Sequence, residues 1–276
     1  MTGEQVLVLE PGRAEKNYWG DLWRYRELFL VLAWRDISVR YKQTVVGVAW
    51  AVLRPLLTAL VFTLVFSRLA KLPSEGAAPY ALMVFAAMLP WSLFSTSLSD
   101  AAGSLIGSAN LISKVYFPRM IVPAAAVVTA FADFLVGFGI LAALMAYYRF
   151  APGWTLLFLP GFMLLALLAS LGPGLWFTAM NVKYRDFRYV IPFVVQFGLY
   201  ISPVGFSSSV VPERWRLLYH LNPMVGVIDG FRWCILGGAS PFSGPGFGVS
   251  LLVIAGFLWL GVSRFRKMEK NFADLI

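Results

Sequence analysis

Residues 34–66 read WRDISVRYKQTVVGVAWAVLRPLLTALVFTLVF, and this run limits the fold more than any other stretch. Its first part interleaves Arg35, Asp36, Arg40 and Lys42 with Trp34, Ile37, Val39 and Tyr41. From Thr44 onward only Arg54 interrupts the apolar sequence. A basic amphipathic segment that leads straight into an apolar helix is the pattern of a chain passing from water into a bilayer. Residues 21–43 accordingly read as an amphipathic interfacial helix. Arg24, Glu27, Arg35, Ser38 and Lys42 fall near one face, and Tyr25, Phe29, Leu32 and Trp34 lie elsewhere on the wheel. Such a helix rests in the headgroup layer, and its polar face is also suited to docking a partner protein.

A membrane span needs roughly 20 apolar residues. Six segments qualify: residues 45–69, 77–99, 120–148, 154–180, 189–208 and 246–263. The expected fold class is therefore an all-α integral membrane protein with six transmembrane helices. Composition agrees, since only 13% of residues are charged and the mean hydropathy is +0.73. Soluble domains carry roughly 25% charged residues, so such a chain cannot cover a surface facing water on all sides. Residues 1–20 read as a loose cytoplasmic head with one short strand at 6–9, and residues 264–276 as a cytoplasmic tail. The head has no long apolar region of the signal-peptide kind, so an uncleaved cytoplasmic N-terminus is expected.

An even number of spans puts both termini on one side, and Lys and Arg say which side. With the N-terminus cytoplasmic, sixteen basic residues fall inside and six outside (Arg68, Lys71, Arg149, Arg214, Arg216 and Arg232), with Arg54 left in the membrane. The net charge of +9 is then a record of topology. Nucleic-acid binding would need that charge gathered on one folded domain, and none is apparent.

Two connections stand out. Residues 100–118, between spans two and three, are long enough for a short cytoplasmic helix and a turn. Residues 210–244, between spans five and six, hold two aromatic-rich pieces too short to span, separated by Asn222-Pro223. They read either as short re-entrant helices dipping into the outer leaflet or as helices lying flat on it.

Catalytic chemistry finds little footing. There is no GxxxxGK[ST] nucleotide loop and no HExxH pair, and one histidine (His220) with one cysteine (Cys234) makes neither a metal cluster nor a disulfide framework. A triad built on His220 has only the presence of the residue types behind it. The ionisable residues inside the spans are Arg54 and Asp133. Arg54 either snorkels to the cytoplasmic headgroups or faces a channel, and Asp133 either pairs with it or meets a polar helix contact. Aromatic residues at span ends fit an interfacial belt. Deeper ones, among them Phe62, Trp91, Phe94, Phe197 and Tyr200, face lipid or form a channel wall on which sugar rings can stack. Together with Arg54 and Asp133 they are the candidate channel lining.

Four stretches resemble one family. RDISVRYKQTVVGVAWAVLRPLLTALVFTLVFSRLAKLP at 35–73 is similar to the start of the membrane subunit of type-2 ABC transporters that export polysaccharide. NVKYRDFRYVIPFVVQFGLYISPV at 181–204, LNPMVGVIDGFRW at 221–233 and FRKMEKNFADLI at 265–276 match as well. Members of that family move O-antigen, capsular polysaccharide or teichoic acid across the bacterial inner membrane. The resemblance implies a homodimer bound to two separate P-loop ATPase subunits, a channel for a lipid-linked polymer, and no cofactor on this chain, with ATP and Mg held by the partner. It places Arg35, Asp36, Arg40 and Tyr41 near the ATPase, and a coupling helix at 109–117 with Asn110, Lys114, Tyr116 and Phe117. It places periplasmic gate helices at 212–219 and 223–236, including Trp215, Tyr219, Asn222, Pro223, Phe231 and Trp233. Independently of the resemblance, a loop carrying Leu111, Ile112, Val115, Tyr116 and Phe117 is costly to leave bare and fits a partner's groove.

Three other functions compete. A drug or lipid exporter of the same superfamily shares the topology but less of the NVKYRDFR stretch. A membrane-embedded transferase needs a catalytic carboxylate or histidine in a cavity. A secondary transporter needs inverted repeats and broken midplane helices, and the sequence shows no repeat.

Overall fold

The computed structural model describes residues 18–42, 45–76, 78–184, 186–238, 240–270 and 272. The expected strand at 6–9 and most of the head lie outside them. Every regular element among the described residues is helical. The helices are α1 (Tyr18–Arg24), α2 (Arg26–Lys42), α3 (Val45–Phe62), α4 (Tyr80–Gly107), α5 (Ala109–Lys114), α6 (Ile121–Tyr147), α7 (Leu159–Lys183), α8 (Phe187–Ile201), α9 (Glu213–Tyr219), α10 (Pro223–Ile235) and α11 (Gly244–Glu269). A π-helical turn, Thr63–Leu69, extends α3, and a 3-10 turn, Trp154–Phe158, leads into α7.

Among the described residues four helical stretches are long and apolar enough to cross a membrane: Tyr80–Gly107, Ile121–Tyr147, Trp154–Lys183 and Gly244–Glu269. The other two expected spans appear as shorter apolar helices, Pro55–Leu69 and Phe187–Ile201. The expected span 189–208 ends early because Ser202 precedes Pro203 and is extended (ψ 151°), as the clash with a following proline requires. With 15 residues, α8 measures roughly 22 Å at 1.5 Å per residue.

The bundle is organised around α4, which packs on α3, α6, α7, α8 and α10. Within its apolar window α4 is 78% buried, whereas α11 is 22% buried. The main core joins α4, α6, α7 and α10 through residues such as Phe85, Phe134, Phe162 and Phe231. A second core gathers Tyr18, Leu32, Ile112, Phe117, Ile121, Leu175, Phe265 and Phe272. It ties the N-terminal helices and α5 to the far ends of α6, α7 and α11. Between α7 and α11 the backbones touch: a Cβ added at Gly172 would meet the main chain of Phe257 and Leu258 at 2.7 Å, and one at Gly261 would strike the Gly172 carbonyl. Small residues at such crossings permit an approach that larger ones forbid.

Candidate functional site

Two charged clusters, each an arginine with two carboxylates, sit in different parts of the bundle. The first belongs to the amphipathic helix. Along α2, Leu32 and Ala33 join the apolar cluster that contains Ile121, Val122 and Ala125 of α6. Two turns further on, the Arg40 guanidinium forks: Nη1 donates to Asp133 Oδ2 of α6 at 2.6 Å, and Nη2 to Asp100 Oδ2 of α4 at 2.6 Å. The Tyr41 hydroxyl donates to the other Asp133 oxygen. The three charged side chains are each about one-third exposed (31%, 30% and 31%). Among the described residues Asp133 thus meets Arg40 and Tyr41 of the amphipathic helix. The Arg54 side chain, and with it the choice between snorkelling and channel, lies outside the described residues. Asp100 went unnoticed in the sequence because it stands at the predicted boundary of a span, where an acidic residue is unremarkable.

The second cluster is centred on Arg232 of α10, which is fully buried. Nη1 donates to the Phe206 carbonyl at 2.9 Å and lies 3.4 Å from Glu75 Oε1; Nη2 reaches the Val204 carbonyl at 3.0 Å, and Nε the Met83 carbonyl at 3.3 Å. The segment after α8 is buried without regular structure, so its polar groups need partners. Side chains supply them in sequence order. Tyr219 Oη donates to the Ile201 carbonyl, Asn222 Nδ2 to Ser202 Oγ, Arg232 to the Val204 and Phe206 carbonyls, and Tyr80 Oη to the Gly205 carbonyl. One turn before Arg232, Asp229 is 3% exposed. Burial pushes its carboxyl up to about 7; Glu75 adds to the rise, while Arg232 and a hydrogen bond from Ser208 oppose it. Burial likewise lowers His220 and pushes the Cys234 thiol up to about 12. Sequence reading counted Arg232 as one more outside cation. The available signal is that Arg232 and Asp229, three apart, are the two charges on an otherwise apolar helix, so one face of that helix carries both.

Local sequence explains how α10 presents these groups. Asn222 caps its N-terminus, accepting from the Met224 N–H at 3.1 Å, with Pro223 in the first turn. Gly237 (φ +69°) ends it, and the Gly238 N–H returns to the Trp233 carbonyl at 2.9 Å, closing a Schellman turn. Between these stops every residue from Met224 to Ile235 is buried except Trp233. The helix lies inside the bundle, whereas α9 is exposed along most of its length, Trp215 by 50%.

The expected gate residues therefore separate. Phe231 is a core residue, edge-on to Phe134 at 6.0 Å, and Trp233 packs among Trp154, Phe158 and Phe242. In the expected coupling segment, α5 matches the helix, and Asn110, Lys114, Val115 and Tyr116 are exposed. Ile112 and Phe117 instead fill the second core and are closed to a partner. Arg35 and Asp36 pair on the surface at 2.7 Å. Of the candidate lining, Trp91 is buried against Phe94 and Gly198, Phe62 stacks edge-on with Phe66, and Phe197 and Tyr200 are exposed by 55% and 62%.

The sequence profile of the family described as ABC-2 type transporter matches residues 27–236, a range that contains both arginine clusters. The chain belongs to that family. An O-antigen export system permease of Myxococcus xanthus is 26% identical over 258 residues, covering 93% of this chain and 98% of the relative. An O-antigen export system permease of Klebsiella pneumoniae is 25% identical over 253 residues, covering 91% and 95%. A polysialic acid transport protein of Escherichia coli is 21% identical over 257 residues, covering 86% and 91%. The first two relatives are permeases by name and the third a transport protein, and the apolar helices make this chain a multi-pass membrane protein.

Proposed function

We propose that this chain is the membrane subunit of an ATP-driven exporter that moves a polysaccharide of the O-antigen type, carried on a lipid, across a bacterial inner membrane. The observation that carries the reading is the reach of the relatives: O-antigen export permeases and a polysialic acid transport protein align with 86% to 93% of this chain, with 91% to 98% of their own length covered.

The mechanism follows from where charge and exposed apolar surface lie. Six spans, with α3 and α8 as the first and fifth, would place both termini in the cytoplasm. In a single chain α3 and α8 bare Leu57, Leu60, Phe193, Phe197 and Tyr200. A second copy facing these helices would enclose a passage lined by aromatic rings. Two ATPase subunits, the family's energy source, would dock on the α5 turn through Lys114 and Tyr116 and on α2 through Arg35 and Asp36. The chain itself would hydrolyse no ATP. Closure of the ATPases would then pull on α2, and the Arg40 fork would pass the pull to α4 and α6 together. At the other end α9 and α10 would form the periplasmic gate, with α9 as its exposed leaf. This is two-state gating biased by nucleotide.

The test is co-expression with a candidate P-loop ATPase. The expected result is a complex that hydrolyses ATP and restores surface polysaccharide to an export-deficient host. ATP hydrolysis by the purified chain alone, or failure to assemble with any such ATPase, overturns the reading.

A further inference from the structure

Beside the Arg232 cluster, α9, α10, the 3-10 turn Ser208–Val210 and the loop before α11 enclose a cavity of about 240 Å³. We infer that this cavity is a binding site for one neutral, hydroxyl-rich sugar ring, a single unit of the polymer being moved. The inference rests on the export reading for the source of the sugar, but the site itself is argued from its walls.

The lining mixes hydrogen-bonding groups with aromatic surface: Ser208, Ser209, Tyr219, His220, Asp229 and Phe242. Two of them, Asp229 and His220, are 3% and 4% exposed and still reach the cavity. Asp229 has a hydrogen bond from Ser208 and His220 a contact with Ser250, and the carboxyl keeps further acceptor capacity that an apolar occupant would leave unused. An anionic occupant fits no better, because the cations nearby are already engaged. Arg216 donates to the Val211 and Ser209 carbonyls at 2.9 and 3.1 Å and lies 3.7 Å from Glu213. Arg232 spends its donors on the carbonyls named above. A ring bearing several hydroxyls suits the remainder. Tyr219 and Ser209 donate their own protons to the Ile201 carbonyl and to Ser207 Oγ, so their oxygens, with the Asp229 carboxyl, stand ready to accept from a sugar's hydroxyls. Phe242, held by Phe162, Trp233 and Phe247 and 37% exposed, offers a face on which the ring's C–H side can lie.

Size points to one ring, since the cavity is smaller than the roughly 300–1,000 Å³ that drug-sized ligands occupy. Its shape is built in. His220 lies so close to Gly246 that a Cβ there would run into the imidazole, so glycine is what admits the histidine to this wall. Occupied, the site would span α9 and α10 at once, and the two would be held together for as long as the ring stays.

The experiment is saturation-transfer difference NMR on the full chain in lipid nanodiscs. The probes are glucose, galactose, mannose and N-acetylglucosamine, with glucuronate and inorganic phosphate as anionic comparisons. The expected result is transfer to the ring protons of at least one neutral sugar, weakened about tenfold, the equivalent of 1.4 kcal/mol, by Ser209→Trp, which fills the cavity from an exposed position. Phe242→Leu, which keeps bulk but removes the ring face, should weaken it too, and covers the case in which the tryptophan variant does not fold. No transfer to any neutral sugar, undiminished transfer in both variants, or preference for glucuronate or phosphate would overturn the inference. A chain that assembles with its ATPase and supports export but binds no neutral sugar loses only this site. A chain that binds sugar in this cavity but joins no ATPase keeps the site and loses the export reading.

Discussion

The two arginine clusters have the same formula and opposite surroundings. Arg232 has no exposed surface, faces Glu75 and Asp229, and uses its donors mainly on main-chain carbonyls. Arg40 is about one-third exposed and spends its fork on two carboxylates from two different helices. A guanidinium bound to the carbonyls of a buried, non-helical segment, here Val204 and Phe206, holds that backbone in a fixed shape. A guanidinium bound to partly exposed carboxylates on two helices is tied to side chains that can turn away, and is the less fixed of the two. The first cluster is thus the more fixed and the second the more exchangeable, which under the proposed export function would suit a gate support and a transmission joint respectively.

The largest expected effect is at the buried cluster. Arg232→Met should leave Glu75 and several carbonyls unpaired and destabilise the protein by about 3–5 kcal/mol, seen as a lowered thermal midpoint or lost yield in detergent. Arg232→Lys should rescue little, because one ammonium cannot reproduce the fork. A variant as stable as wild type would erase the contrast between the clusters. Arg40→Ala should cost less, about 1.5–3 kcal/mol, the range for hydrogen bonds to charged groups. Its sharper mark should be uncoupling, with ATPase turnover in the assembled complex kept and export lost. Export at the wild-type rate would show that α2 does not act through this joint.

Acidity gives a further handle on the buried cluster. The Asp229 carboxyl is raised to about 7 in the folded protein, mainly by burial, against an ordinary value of about 3.9. Between these values the folded state holds the extra proton, so stability from this group is present at low pH and falls as pH rises from about 4 to about 7. Arg232, Glu75, Ser208 and Tyr219 are the groups that bear on it. Asp229→Asn should flatten that slope, a change of about 2–4 °C in midpoint for each kcal/mol removed, measured by melting across the pH range. A slope unchanged in the variant would assign it elsewhere. Smallest of all, Tyr41→Phe removes one hydrogen bond to Asp133 and should cost about 0.5–1.5 kcal/mol, with Arg40 still seated. A loss as large as that of Arg40→Ala would make the tyrosine an equal member of the joint.

Sequence reading reached the helical class and the short elements closely. Helices that the resemblance placed at 109–117, 212–219 and 223–236 appear as Ala109–Lys114, Glu213–Tyr219 and Pro223–Ile235, the last two set off by Pro212, Asn222-Pro223 and Gly237. It reached the site less well, because partners lay far apart in sequence. Arg40 and Asp133 are separated by 93 residues, and Arg232 and Glu75 by 157. Hydropathy shows that a charge is out of place without showing what answers it. Apolar residues posed the reverse problem. Phe117 and Tyr116 read alike in the coupling segment, yet one is 4% exposed and the other 43%, since only the tertiary fold puts Phe265 and Phe272 beneath the first.

The bare contact between Gly172 and the main chain of α11 leaves no side chain that can rotate to absorb a shift. Two helices joined backbone to backbone translate as one body or not at all. Any widening of the bundle must then be carried by its loosely held members, α3 and α8, while α7 and α11 act as the frame. A single alanine at Gly261 would wedge the frame itself, and its harm would appear as a misshapen protein rather than a slow one.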